Sequence, residues 1–200
     1  MTNLLQINTS LFSGHGQSSQ LAGRFVSTYL SRSPGTQVVT RDLAAEAVPH
    51  LDGARFTAFT VPEEQRTAEQ QAVVAYSDAL IDELRRADVI VLGLPMYNFS
   101  IPSQLKSYFD HIARIGVTFS YTPQGPVGLL TGKKAYVLEA RGGNYVGTHW
   151  DTETAYVRNF LAFIGITDVE FVHAEGLARG EESRVASLKH AHNSIDRLAA

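Results

Sequence analysis

The sequence contains no cysteine, and this absence excludes disulfide bonds, thiol catalysis and cysteine-ligated metals. It also has no apolar run near the ~18 residues that a membrane-spanning helix requires. The N-terminus lacks the basic head and the apolar core of a signal peptide. We therefore expect a cytoplasmic protein with no membrane partner.

Charge of either sign is scarce as well. Lysine and arginine together number 17 against 20 acidic residues, which gives a formal net charge of -3. The densest basic clusters, at 85–86 and 133–134, are two residues long, so we expect no nucleic-acid partner. The histidines form no H-E-x-x-H motif, and His190 and His192 lie on different sides of a predicted helix, so no metal site is expected.

The chain instead consists of short apolar runs that alternate with longer segments of helical periodicity. This alternation indicates βαβ units and predicts a doubly wound α/β fold, a five-stranded parallel sheet with helices on both faces. A length of 200 residues suits a single domain over residues 1–200. The predicted strands lie at 4–8, around 38–39 and at 89–94, 135–139 and 169–172, and the predicted helices at 17–31, 67–87, 102–113, 152–164 and from 181.

Three stretches follow predicted strands and are therefore candidates for a binding site: Asn8–Ser18, Pro95–Ser100 and Ala140–Thr148. Open parallel sheets bind their ligands beyond the carboxyl ends of the strands, near the point where the strand order reverses. We expect these three junctions to lie at that edge.

The first junction, "NTSLFSGHGQSSQL", is rich in serine and glycine and leads into a helix. Free N–H groups and the positive end of a helix suit an anion such as a phosphate. The stretch is neither a Walker loop nor a dinucleotide fingerprint, because it lacks both G-K-[ST] and G-x-G-x-x-G. An N-capped helix with a flexible approach loop is the alternative interpretation.

The other two junctions carry different residue types. Met96–Phe99 places two aromatics, an amide and a thioether where small residues would suffice for a turn, and Arg141–Gly143 permits close backbone approach to a ligand. A plain turn at Arg141–Gly143 is the alternative. Together the three junctions predict a site for a planar aromatic ligand that bears one phosphate, such as FMN, with Asn98 at its polar edge.

Longer motifs agree with this interpretation. The stretches "PMYNF", "GVTF.YT..GP.GL.TGKKA", "RGG" and "FIGITDV.FV.AEG" occur in this order across nearly the whole chain. In these stretches the sequence resembles the FMN-dependent NADH-azoreductase family, flavodoxin-like flavoenzymes that also reduce quinones. The resemblance implies a flavodoxin-like fold, FMN as cofactor, NADH or NADPH as electron donor, and quinones or aromatic azo compounds as substrates.

The resemblance also implies site residues. It assigns the phosphate to Ser10, Gly16, Gln17 and Ser18, the ring and its ribityl chain to Met96, Tyr97, Asn98 and Phe99, and the pyrimidine side to Ala140, Arg141, Gly142 and Gly143. It assigns substrate contacts to Tyr121 and Phe163. Two positions depart from the family: Ala140 stands where serine is frequent, and Ser120 where some relatives carry arginine, which leaves the choice between NADH and NADPH open.

We expect no catalytic side chain, because the flavin carries the hydride chemistry. If the donor and the acceptor use one surface in turn, the kinetics are ping-pong. Two alternatives from other classes remain at this stage: an electron carrier of the same fold, and a non-enzymatic FMN-binding regulator. Electron carriers tend to be strongly acidic, so the small net charge disfavours the first.

The segment Asp42–Arg66 is long for a connection in an α/β domain, and the sequence predicts it to be irregular. It carries four large apolar residues, Leu51, Phe56, Phe59 and Val61. We expect them to be buried against a second copy of the chain, since two-fold dimers are the commonest oligomers and the resemblance implies a homodimer. The alternative is that the segment folds back over its own sheet.

Overall fold

The apolar runs of the sequence form strands, and the periodic segments between them form helices. A computed structural model describes residues 1–199. The strands are β1 (Asn3–Asn8), β2 (Gln37–Asp42), β3 (Val89–Pro95), β4 (Phe119–Thr122), β5 (Gly125–Gly128), β6 (Lys134–Ala140) and β7 (Asp168–Ala174). The helices are α1 (Gln17–Arg32), α2 (Gly53–Thr60), α3 (Ala68–Arg86), α4 (Ser103–Ile112), α5 (Glu153–Phe163) and α6 (Glu181–Leu198), and short 3-10 turns lie at Ser13–His15 and Glu63–Gln65.

Five of the strands form one parallel sheet in the order β2-β1-β3-β6-β7. This confirms the predicted doubly wound α/β class. Strand β3 is buried along its whole length at the centre, as expected of a strand that is covered on both faces. The strand order reverses between β1 and β3, so a ligand crevice is expected beyond the carboxyl ends of these two strands.

Helices cover both faces of the sheet, and each face has its own core. Adjacent residues of a strand point to opposite faces. Leu5 accordingly packs with apolar residues of α3, α4 and α5, whereas its neighbour Leu4 packs with those of α1 and α6. Among residues 1–199, no helix combines the length and the apolar character needed to cross a membrane.

The prediction of an irregular segment at Asp42–Arg66 was wrong. The segment contains helix α2, whose N-cap Asp52 accepts a hydrogen bond from the backbone N–H of Arg55 at 2.8 Å. Leu43 and Val48 are buried in the core beneath it. Part of the segment thus folds over its own sheet, which was the alternative interpretation.

The side chains of α2 are divided between the chain's own core and solvent. Ala58 is buried, and the Phe59 ring meets the ring of His111 edge-on, with centroids 6.1 Å apart. Phe56, by contrast, is 60% exposed.

Candidate functional site

The three junctions identified in the sequence meet at the carboxyl edge of the sheet. The Thr9 hydroxyl, after β1, donates to the carbonyl of Gly93 in β3 at 2.8 Å. The Ser10 hydroxyl lies 3.3 Å from the hydroxyl of Tyr97. The backbone N–H of Met96 donates to the carbonyl of Ala140 at the end of β6, at 3.3 Å. Contacts of this kind hold the three loops together at the edge where the fold class is expected to bind its ligand.

The first junction has the properties of an anion cradle. Helix α1 begins after Gly16, and no side chain caps it, so its first-turn N–H groups lack protein partners. A Cβ atom at position 16 would overlap the side chain of Ser10, so only glycine fits at this position. The hydroxyl of Ser18, the second residue of the helix, is buried and has no hydrogen-bond partner among residues 1–199. Buried polar groups are normally paired, so this hydroxyl indicates a ligand.

The second junction is a tight turn. The backbone groups of Tyr97 and Ser100 exchange two hydrogen bonds, of 3.0 and 3.1 Å. The two residues between them have positive φ angles, 51° at Asn98 and 63° at Phe99. A turn of this kind requires positive φ at both positions, which asparagine tolerates and phenylalanine does not favour. Contacts around Phe99 must therefore stabilise the strained conformation.

Those contacts come from the loop that follows β6. The Phe99 ring lies against Trp150, with centroids 4.8 Å apart, and meets Tyr145 edge-on at 5.7 Å. The hydroxyl of Thr152 donates to the carbonyl of Phe99. We call residues 144–152 the aromatic loop. The turn that carries Asn98 and Phe99 is thus fixed by a different part of the chain.

The third junction directs its carbonyl groups inwards, to the chain that follows β7. The carbonyls of Arg141, Gly142 and Gly143 accept hydrogen bonds of 3.1, 3.0 and 2.9 Å from backbone N–H groups at positions 176–178. In the part of the chain that the structure describes, no group accepts from the N–H of Gly142 or Gly143. Gly142 is exposed, so its N–H is available to a ligand.

The guanidinium of Arg141 is turned away from this junction and completely buried. Four carboxylates surround it, and we call the five residues the Arg141 cluster. Its carboxylates lie at 2.8 Å (Glu139), 3.0 Å (Asp151), 3.4 Å (Glu153) and 3.5 Å (Glu175) from guanidinium nitrogens. Only the backbone of Arg141 is therefore left to border a ligand. Sequence reasoning identified none of the four partners, which lie in β6 (Glu139), in and just before α5 (Glu153 and Asp151) and just after β7 (Glu175).

One cation does not neutralise four carboxylates, and two of them, Asp151 and Glu153, have shifted pKa values. Burial raises the pKa of Glu153 to about 8, and no hydrogen bond reaches either of its carboxyl oxygens. Burial also opposes ionisation of Asp151, but hydrogen bonds from Arg141 and Thr154 outweigh it and lower the pKa of Asp151. At neutral pH, Glu153 is therefore mostly protonated and Asp151 is ionised.

The Arg141 cluster also anchors the aromatic loop. One carboxylate oxygen of Glu175 accepts from the backbone N–H groups of Tyr145 and Val146, at 2.7 and 2.9 Å. At the other end of the loop, Asp151 pairs with Arg141. Both ends are thus held by buried charge, while Val146, His149 and Trp150 remain exposed.

Comparison with known proteins identifies the family. The profile of a family described as having a flavodoxin-like fold matches residues 2–198. A protein of Cellvibrio japonicus named FMN-dependent NADH:quinone oxidoreductase is 57% identical over 191 residues, covering 95% of this chain and 96% of the relative. A Burkholderia thailandensis protein of the same name is 56% identical over 195 residues, or 98% of each chain. This chain belongs to the FMN-dependent NADH-azoreductase family.

Solved structures agree with the family assignment. An azoreductase from Bacillus anthracis superimposes with a TM-score of 0.88 at 31% identity, covering 98% of this chain and all of the other. A second Bacillus anthracis structure, described as an FMN-dependent NADH-azoreductase in complex with FMN, has a TM-score of 0.88 at 29% identity and full coverage of both chains.

Tyr121 and Phe163, the two residues expected to contact the substrate, lie away from the three junctions within one chain. Both surround Phe119 of β4: the Tyr121 ring meets it edge-on at 5.6 Å, and the Phe163 ring lies at 4.3 Å. Tyr121 lines an apolar cavity with Phe56 and other residues of α2 and the chain after α4, and the described lining contains no residue of the three junctions. Within one chain, the structure therefore brings Tyr121 and Phe163 near each other but not to the crevice.

Proposed function

We propose that this protein is an FMN-dependent reductase that oxidises NADH and reduces quinones and aromatic azo compounds. The observation that carries the proposal is the cradle at the start of α1. There the buried Ser18 hydroxyl has no partner among the described residues, and position 16 admits only glycine because a Cβ atom would overlap the Ser10 side chain. The names of the family members at more than 50% identity support the choice of NADH and quinone.

The residues present fit FMN. A single uncapped helix start offers room and donors for one phosphate, in the form of the hydroxyls and N–H groups at Ser10 and Gly16–Ser18. Met96–Phe99 would border the ring and its ribityl chain. The backbone of Ala140–Gly143 would border the pyrimidine side. We propose this as a single FMN-binding domain spanning residues 1–200.

Bound in this crevice, FMN supplies the ring that accepts a hydride from NADH and gives it to the acceptor. The chain's own residues bind and orient. The N–H groups of Gly142 and Gly143, whose carbonyls accept hydrogen bonds from the chain after β7, would donate to the polar edge of the ring and would stabilise negative charge there. The Asn98 amide adds a polar partner at the same ring. No side chain is required as a general acid or base.

The kinetic scheme we propose is ping-pong, because donor and acceptor would occupy one surface in turn. Initial rates measured against NADH at several fixed quinone concentrations should give parallel double-reciprocal lines. Intersecting lines, which signify a ternary complex, would count against a shared surface.

Stopped-flow absorbance of the purified holoprotein tests the activity itself. NADH should bleach the flavin absorbance rapidly and a quinone should restore it, with FMN and not FAD released on denaturation. An electron carrier or a non-enzymatic regulator of the same fold would bind FMN but would not be bleached by NADH at a useful rate. We propose the cytoplasm as the compartment, since NADH is available there.

We also propose a homodimer in which Tyr121 and Phe163 contact substrate near the partner chain. Three apolar side chains support it, because they line one cavity and are largely exposed: Phe56 at 60%, Ile115 at 60% and Tyr121 at 67%. Light scattering of wild-type protein should give twice the chain mass, and Phe56→Ser should shift it towards monomer. Val185→Ser, at a residue of α6 that is 55% exposed, is the matched control.

A further inference from the structure

Trp150 is the only tryptophan of the chain, and its position is unusual. The ring is 48% exposed, although it belongs to the largest apolar side chain available. One neighbour is the Phe99 ring, at 4.8 Å and 34°, and another is the His149 ring, at 4.6 Å. The Phe99 ring is itself 45% exposed. Two large aromatic rings thus remain in contact with each other and with solvent.

The surroundings of Trp150 hold it firmly in place. Glu175 fixes the start of the aromatic loop through two backbone N–H groups, and the Arg141–Asp151 ion pair fixes its end. Two residues after Trp150, the hydroxyl of Thr152 donates to the carbonyl of Phe99. Burying charged groups costs desolvation free energy. Their presence beneath an exposed loop therefore indicates that the function requires the loop in a fixed position.

The location of the pair connects it with the crevice. Phe99 directly follows Asn98 in the strained turn after β3, and its backbone is held at a φ angle of 63°. That turn leaves the sheet beside the strand-order reversal, where the ligand of this fold class binds. Through their contact, Trp150 and Phe99 form one continuous exposed aromatic surface at this turn. A flat aromatic surface of this size suits a planar ligand, since offset aromatic pairs are attractive beyond the area they bury.

We propose that Trp150 is a specificity-determining residue, which together with Phe99 forms a wall that stacks on the second ring of fused-ring acceptors. A two-ring quinone would contact this wall, whereas a single-ring quinone would be too short to reach it. This inference rests on the proposed reductase function and adds the size class of the preferred acceptor.

Steady-state kinetics with two quinones test the wall. Trp150→Ala should lower kcat/KM for 1,4-naphthoquinone about 10-fold, through KM, and should change kcat/KM for 1,4-benzoquinone less than twofold. Trp150→Phe should recover most of the loss, because it keeps a flat ring. Val185→Ala, which removes an equally exposed apolar side chain from α6, should change neither substrate. Equal losses on both quinones in Trp150→Ala would overturn the proposal.

Tryptophan fluorescence supplies a readout independent of turnover, because all emission comes from position 150. Titration of 1,4-naphthoquinone into the wild-type holoprotein without NADH should quench the emission saturably, while 1,4-benzoquinone should quench it only linearly. Linear quenching by both would contradict the wall.

The two proposals fail in different ways. Wild-type protein that holds no FMN, or is not bleached by NADH, would overturn the reductase function and the wall with it. If NADH bleaches the flavin normally, but Trp150→Ala has the same kcat/KM as wild type for each of the two quinones, only the proposed wall is overturned.

Discussion

Residues 10–18 and the Arg141 cluster lie at the same edge of the sheet, but different forces fix them. At the cradle, small neutral residues are in steric contact, with Gly16 against Ser10, and the Ser18 hydroxyl is free. The Arg141 cluster instead consists of one buried cation among four carboxylates. The cradle leaves its polar groups free for a ligand, whereas the cluster pairs its cation with carboxylates of the same chain and stabilises a loop.

This difference separates two tasks that one site must perform. A phosphate requires vacant donors, and small residues provide them with little cost to the fold. The exposed aromatic pair requires a loop that is fixed in position. The ion pairs of the Arg141 cluster fix that loop, and breaking a buried ion pair costs much stability. Changes at the cradle should therefore affect cofactor affinity first, and changes at the cluster should affect folding first.

The largest effect is expected for Arg141→Met. Removal of the guanidinium leaves buried carboxylates without a counter-charge, which typically costs about 3–5 kcal/mol in the free energy of unfolding. Urea denaturation of the FMN-free protein measures this. Arg24→Met is the matched control, because the Arg24–Asp196 pair is exposed and should contribute less than about 1 kcal/mol. Equal losses in the two variants would remove the distinction between the cluster and an ordinary surface pair.

Gly16→Ala should produce the next largest effect, on FMN affinity. The added Cβ would overlap the Ser10 side chain and force the cradle apart, and overpacking of this kind costs about 1–3 kcal/mol, or roughly 5- to 150-fold in Kd. The matched control is Gly14→Ala, since a Cβ there meets nothing within 4 Å. Titration of FMN followed by flavin fluorescence gives both Kd values, and a Gly16→Ala variant with wild-type affinity would refute the cradle.

Glu153→Gln should change the pH dependence of stability. Burial raises the pKa of Glu153 from 4.5 to about 8. The protonated carboxyl therefore contributes fully to the free energy of unfolding below pH 4.5, and this contribution is lost as the pH rises through 8. Between pH 6 and pH 7 the wild type should lose about 1 kcal/mol of stability that the variant keeps. Unfolding curves at the two pH values check this, and a pH-independent difference would show that Glu153 is already ionised.

The smallest effect is expected for Ser18→Ala. Its hydroxyl has no protein partner, so the FMN-free protein should keep its stability within about 0.5 kcal/mol. FMN affinity should fall by about 1 kcal/mol, or about fivefold, through the loss of one hydrogen bond. Thermal unfolding with and without FMN separates the two quantities. A loss of stability without FMN and no loss of affinity would assign Ser18 to the fold and not to the ligand.

The same contrast explains what could be predicted from the sequence. The cradle is local: Ser10, Gly16 and Ser18 lie within nine residues of one another. A serine- and glycine-rich stretch before a predicted helix suited an anion, and the family resemblance assigned the individual residues. The Arg141 cluster draws its carboxylates from positions 139 to 175, and each of them looks in the sequence like an ordinary surface acid. Nothing short-range marks them as buried, so only the fold could reveal them.

The strands were predicted well because buried parallel strands produce continuous apolar runs. Helix α2 was missed although its N-cap signal, Asp52 followed by Gly53, was present, because the surrounding stretch is too short and mixed for a clear period. The hairpin of β4 and β5 was missed as well: its four-residue strands pair around Pro123 and Gln124 without an alternating pattern.

The central position of β3 has a consequence for synthesis of the chain. Its two neighbours are β1, some 85 residues earlier, and β6, some 45 residues later. Until residues 134–140 leave the ribosome, one edge of the most apolar strand has no partner, and parallel pairing over such separations is intrinsically slow. The nascent protein therefore passes through a stage that depends on protection from aggregation, which ends only when residues 134–140 have left the ribosome.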